Sequence, residues 1–282
     1  MEKVKQTLRD SKTARWIALA LISLTMFFAY FFIDVAAPLQ IMFQTDYGWS
    51  PEVFGMLGGS EFFLNVFAFF LILSGIILDK MGIRFTIITS GVTMVIGGSI
   101  KYFALSKGFV GSGIEQFLSS FLVNIPASAK LAFFGFAIFG VGVEMAGITV
   151  SKTIVKWFKG KELALAMGLE MAIARLGVFA VFRLSPIFAE NGGASNSVLW
   201  GVAFLIVGLL LFLIYTIMDV RLDRQLGEEA EIELEDAFRI SDLWLILKNP
   251  GFLAIASLCV LFYSAIFPFQ KFATDMLSSK LD

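Results

Sequence analysis

The 282-residue chain contains no histidine and one cysteine, Cys259. Without histidine it lacks the commonest metal ligand and the usual proton shuttle near neutral pH. Any proton chemistry therefore falls to carboxylates. The lone thiol allows no internal disulfide. No G-x-x-x-x-G-K-[ST] phosphate-binding loop is present, which argues against ATP-driven work by this chain. The net charge of −1 offers no surplus for nucleic acid. No cysteine pair or serine-based arrangement suggests an enzyme, and neither a metal nor a cofactor is expected.

Apolar residues are in excess. They make up 58% of the chain, including 32 phenylalanines, and mean hydropathy is +0.83. A soluble domain has roughly 45–50% apolar residues. The surplus here falls in blocks of about 20, the length that crosses about 30 Å of hydrocarbon. These blocks are continuous rather than alternating, which excludes a β-barrel pattern. The expected fold class is an all-α, polytopic membrane protein. Spans are read at about 16–43, 51–78, 85–105, 131–155, 163–189, 198–218 and 251–276. A polar segment covers 106–130, and an acidic stretch at 228–236 lies in a long linker. Ser241 is positioned to cap a short interfacial helix over 242–248.

Lysine and arginine in the short loops set the orientation. They occur in the first fifteen residues (Lys3, Lys5, Arg9, Lys12, Arg15), in the second connection (Lys80, Arg84) and in the fourth (Lys156, Lys159, Lys161). The first and fifth loops have none, so the N-terminus is expected in the cytoplasm. No sorting signal is read in the first fifteen residues. The expectation is therefore a plasma membrane or bacterial inner membrane.

Between the second and third spans the chain reads G-I-I-L-D-K-M-G-I-R over 75–84. This resembles the G-x-x-x-D-[RK]-x-G-x-R signature of major facilitator transporters, matched at Gly75, Asp79, Lys80, Gly82 and Arg84. The layout is similar too. A six-helix bundle over 1–218 and a cytoplasmic linker over 219–249 lead into a seventh helix over 250–282. That helix would open a C-terminal bundle that is largely absent. The resemblance implies a secondary transporter or facilitator that alternates access. Its partners would be a small-molecule substrate, the lipid bilayer and the missing bundle of the same protein. The alternative is a non-transporting receptor or scaffold complete at seven helices.

Charges inside spans cost about 2.5–3.5 kcal/mol or more at the bilayer centre, so each needs a reason. Those present are Asp34, Glu61, Lys101, Glu144, Lys152, Glu170, Arg175 and Arg183. Glu61, Lys101 and Arg183 lie toward span ends, where ion pairing or snorkelling competes with function. Glu170 is a candidate partner for Lys152. Asp34 precedes Pro38, which should kink the first span, so this carboxylate either lines the outer vestibule or caps freed backbone donors. Glu144 and Arg175 lie near the middles of neighbouring antiparallel spans. They either pair with each other or divide to hold the two ends of a zwitterion.

Three further runs narrow the resemblance: G-V-G-V-E-M-A-G, W-F-K-G-K-E-L-A-L-A-M-G-L and M-A-I-A-R-L-G. With F-Y-S-A-I-F-P-F-Q-K-F-A-T-D in the seventh span, they resemble the family of the lysosomal dipeptide transporter. That resemblance implies peptide-like substrates, with Glu144 meeting the ammonium and Arg175 the carboxylate. The signature implies that Asp79 helps close the cytoplasmic side by meeting a helix N-terminus. The glycines at 135, 140, 142 and 147 read as close helix packing.

Overall fold

The computed structural model describes residues 7–226 and 240–281. The acidic stretch at 228–236 and the basic Lys3 and Lys5 lie outside the described residues. Every regular element among the described residues is helical.

Helix α1 (Lys12–Ile33) starts where Ser11 accepts a hydrogen bond from the Ala14 N–H. It ends before Pro38, which sits in a 3-10 turn over Ala37–Leu39. Proline cannot donate to the turn before it, so the span breaks there and resumes as α2 (Gln40–Tyr47). The expected kink is thus a full interruption. Ser50 caps α3 (Pro51–Phe67), and Pro51 occupies the first helical position, which needs no donor. Phe69, at φ 56, separates α3 from α4 (Phe70–Leu105), and the two axes differ by 57°.

Helix α4 is interrupted at Gly82, whose φ of 77 and ψ of 172 are open to glycine at little cost. Contacts with α6 (Ala127–Phe158) show what the interruption does. Before Gly82, contacts advance together along both chains: Gly140 abuts the Glu61 backbone, and Lys152 reaches Asp79. After Gly82 they run oppositely: Gly135 faces Gly97 and Lys101, whereas Gly142 faces Met94 and Ser90. The chain therefore reverses at Gly82, as the turn motif implied.

Helix α5 (Gly113–Ser119) interrupts the polar segment after α4. Helices α7 (Leu163–Ala189) and α8 (Gly193–Leu226) complete the packed bundle. Helix α8 continues two turns beyond residue 218, where the apolar run ends. The short α9 (Ile240–Leu247) begins at Ile240, which puts Ser241 inside the helix rather than at its cap. Helix α10 (Pro250–Leu281) follows. Among the described residues, five helical stretches are long and apolar enough to cross a membrane, α1 and α2 counting as one, and the α3–α4 pair makes six when taken as one bent span. The reversal at Gly82 splits that pair into two crossings of opposite direction.

Small residues bring α4 and α6 together. A methyl group at Gly142 would stand 2.7 Å from the Met94 backbone nitrogen, and one at Gly135 2.7 Å from the Gly97 carbonyl. Gly147 meets only open space, so the packing role falls to the other three glycines. Helix α10 touches the bundle through Phe267 on Phe62, with ring centroids 5.7 Å apart. A cavity of about 380 Å³ lies between α10, α3 and the break after α1.

Candidate functional site

The crossing of α1 and α7 places the central charges. A side chain at Gly177 would strike the Phe27 carbonyl and the backbone of Phe31, so only glycine allows this approach. Further along, the Ser185 hydroxyl donates to the Val35 carbonyl at 2.7 Å. Ser197 of α8 in turn donates to the Ser185 carbonyl. The carbonyl of Val35 falls in the break after α1, so Ser185 satisfies a group that the interrupted helix leaves open.

This crossing sets Tyr30 of α1 beneath Arg175 of α7. The Arg175 guanidinium carbon lies 5.3 Å from the Tyr30 ring centroid, within cation–π range. Tyr30 is also within electrostatic reach of Glu144, Glu170 and Glu61. Glu144 is half-buried on α6, and Arg175 is exposed on the bundle surface. Among the described residues, Glu144 and Arg175 form no ion pair with each other or with another group. Glu144 and Arg175 thus both lie within electrostatic reach of Tyr30, near the middles of α6 and α7, and do not pair with each other. Tyr30 gave no signal in the sequence, because aromatic residues are dense throughout the spans.

The other span charges sort differently. Lys101 is 0% exposed and Glu61 2% exposed, so neither snorkels to water. The Lys101 ammonium sits 3.7 Å from the Phe136 ring centroid and 5.0 Å from that of Phe32. Asp34 closes α1 as its C-cap residue and is 4% exposed, with its carbonyl accepting from the Ala37 N–H. Arg183 is exposed. Lys152 pairs with Asp79 at 2.7 Å, not with Glu170 as the sequence suggested. Asp79 lies at the end of its helical segment next to Lys152, and an acceptor there was the nearer partner.

At the Gly82 end of the bundle, the turn motif joins a network that sequence reasoning missed. Asp219 of α8 has a side chain only 1% exposed. Lys156 reaches both of its oxygens, at 2.8 and 2.9 Å, and the Trp157 indole donates at 3.2 Å. The Tyr215 hydroxyl donates to the same carboxylate at 2.9 Å. Asp223 pairs with Lys156 at 2.6 Å and with Arg84 at 2.9 Å. Arg84 thereby ties the start of the returning segment to the end of α8. The spacing of Tyr215, Asp219 and Asp223 at every fourth position marks one helical stripe. That stripe was the available signal that α8 continues past its apolar run. Lys80 is exposed, and Gly75 faces open space.

The same end holds the residues before α1. Lys161 pairs with Asp10 at 2.6 Å, and Arg15 pairs with Glu162 at 3.3 Å. The Lys161 ammonium, helped by the Thr7 N–H and hydroxyl, holds the Asp10 carboxyl well below the usual carboxylate range.

A helical bundle of long apolar spans that reverses at a glycine turn defines a multi-pass membrane protein. The family model of the Major Facilitator Superfamily matches residues 19–277, and the chain belongs to that superfamily. The chain is 31% identical over 273 residues to the lysosomal dipeptide transporter MFSD1 of Bos taurus, covering 90% of this chain and 52% of that protein. Its human counterpart is 30% identical over the same shares. The Danio rerio protein is 28% identical over 261 residues, 86% of this chain and 50% of its own length. The chain thus spans about half the length of the curated relatives it matches.

Proposed function

We propose that this chain forms the first bundle and opening helix of a secondary transporter for zwitterionic, peptide-like solutes. The protein alternates access rather than catalysing a reaction. Residues 1–218 are the first bundle, 219–249 the linker, and 250–282 the helix that opens the second bundle. The observation that carries this reading is the separation of Glu144 and Arg175 around Tyr30, with no ion pair between them. Glu144 receives the substrate ammonium. Arg175 presents a planar fork to the carboxylate. Asp34, one helical turn beyond Tyr30, is 4% exposed and closes α1, so its place is the end of the helix rather than the lining of the approach. The relatives, whose name states dipeptide transport, support the substrate class.

Asp79 and Arg84 belong to the closing machinery of the end that also holds the N-terminus, with Gly75, Lys80 and Gly82 shaping the turn. That end is cytoplasmic by its lysines and arginines. The address proposed here is a plasma membrane or bacterial inner membrane, whereas the relatives' name is lysosomal. Imaging a tagged full-length protein separates these addresses.

The test uses the full-length protein and a dipeptide in three forms: free, N-acetylated and C-amidated. Loss of one partner from a desolvated pair typically costs about 2–5 kcal/mol, so Glu144→Gln and Arg175→Gln should each weaken binding at least about tenfold. Acetylation should abolish sensitivity to Glu144→Gln and keep that to Arg175→Gln. Amidation should do the reverse. If both variants lose thermal stability and neither blocked peptide tells them apart, the two residues form a structural pair and the substrate role is wrong.

A further inference from the structure

Arg175 is a long, exposed side chain, yet its only described support is the face of one ring, Tyr30. A guanidinium uses its face and its edge independently. Stacking engages the face and leaves the in-plane N–H groups directed outward for a carboxylate. An arginine whose guanidinium lies flat on a ring can hold that contact and a bidentate hydrogen-bonded ligand at once. The ring is not free to drift. Phe27 and Phe31, on either side of Tyr30 in α1, press their backbone on Gly177, and Val35 is held by Ser185. Arg175 lies two residues from Gly177 on the same helix. The backbone crossing therefore fixes the ring relative to the base of the arginine before any ligand arrives.

We propose that Tyr30 is the positioning residue of the carboxylate subsite, holding the Arg175 guanidinium in the orientation that receives the substrate. The inference rests on the reading of Arg175 as the carboxylate ligand. The ring does this work by lowering the ordering that binding would otherwise require of a flexible side chain. A phenylalanine has the same face, so the phenolic hydroxyl is dispensable for this role. An aliphatic residue of similar bulk has no such face, and the guanidinium above it samples many rotamers.

The experiment measures dipeptide affinity in the full-length protein for Tyr30→Phe, Tyr30→Leu, Arg175→Gln and the Tyr30→Leu/Arg175→Gln pair. Each is tested with a free dipeptide and its C-terminal amide, and melting temperature reports folding. A cation–π contact corresponds to an affinity change of roughly 2- to 30-fold, and an exposed one lies toward the lower part of that range. Tyr30→Leu should weaken the free dipeptide by that factor and leave the amide unchanged. Tyr30→Phe should bind the free dipeptide within about twofold of the parent protein. In the Arg175→Gln background, Tyr30→Leu should have no further effect. Equal loss for free and amidated peptide, or a loss that persists without Arg175, overturns the positioning role. A strong effect of Arg175→Gln beside a silent Tyr30→Leu overturns this inference alone. A silent Arg175→Gln with the free dipeptide overturns the carboxylate reading and this inference together.

Discussion

Asp219 provides the sharpest stability test, because four groups converge on one carboxylate with a 1% exposed side chain. Asp219→Asn keeps the shape and removes the charge. Breaking a buried pair by removing one partner typically costs about 3–5 kcal/mol. Two features place the expected loss near the lower end. Lys156 retains Asp223 at 2.6 Å, and the amide oxygen can still accept from Tyr215. A loss of about 3 kcal/mol corresponds to a fall of roughly 6–12 °C in melting temperature for a chain of this size. Tryptophan fluorescence suits the measurement, since Trp157 donates to both Tyr215 and Asp219. The companion is the double variant Asp219→Leu/Lys156→Met. Replacing both partners by apolar groups is often neutral or stabilising, but the Tyr215 hydroxyl and Asp223 also lose partners, so it should recover part of the loss. A drop below about 2 °C for Asp219→Asn, or a double variant no better than the single, would refute the view that this network holds α4, α6 and α8 together.

Gly177→Val should lower the melting temperature by an overpacking cost of about 1–3 kcal/mol, whereas Gly147→Ala, which meets open space, should leave it unchanged in the same assay. In the full-length protein, Asp79→Asn should reduce transport turnover while preserving expression and substrate affinity; unchanged turnover in a vesicle uptake assay would leave Asp79 a local structural role, its pair with Lys152 included. After Cys259→Ser, cysteines placed at Lys80 or Lys159 should react with an impermeant reagent only in permeabilised cells. Reaction in intact cells would reverse the orientation.

The spans were legible because hydrocarbon demands about twenty apolar residues per crossing, and that demand is written into composition. The break near Pro38 and the reversal at Gly82 were legible for a related reason, since each uses a residue whose backbone chemistry admits few alternatives. The break at Phe69 carried no such mark, since neither glycine nor proline occurs between Leu64 and Phe70. Glu144 and Arg175 stood out because a charge within a span is costly. The outcome for Lys101 was not legible. Whether an ammonium snorkels or stays inside depends on rings from other helices, here Phe32 and Phe136, that come near it only in three dimensions. Tyr30 was hidden for the same reason. The end of α8 was missed because hydropathy falls at Asp219, although buried partners allow the helix to continue.

The charges divide by position, and the division bears on selectivity. At the Gly82 end they neutralise one another: Asp79 with Lys152, Asp219 and Asp223 with Lys156 and Arg84, Asp10 with Lys161. Near the middles of α6 and α7, Glu144 and Arg175 do not. Had those two paired, a substrate would first have to break the pair, and binding would carry that cost with every ligand. If the two residues hold the ends of a substrate as proposed, the unfavourable state is the one in which only one of them receives a counter-charge. On the proposed reading, a solute with a single charge is disfavoured for two reasons. It makes one contact fewer, and on binding it also strips water from the opposite residue without replacing it. The discrimination between a free dipeptide and either blocked form should therefore exceed what one lost hydrogen bond explains. It should shrink when the residue left unmatched is itself made neutral.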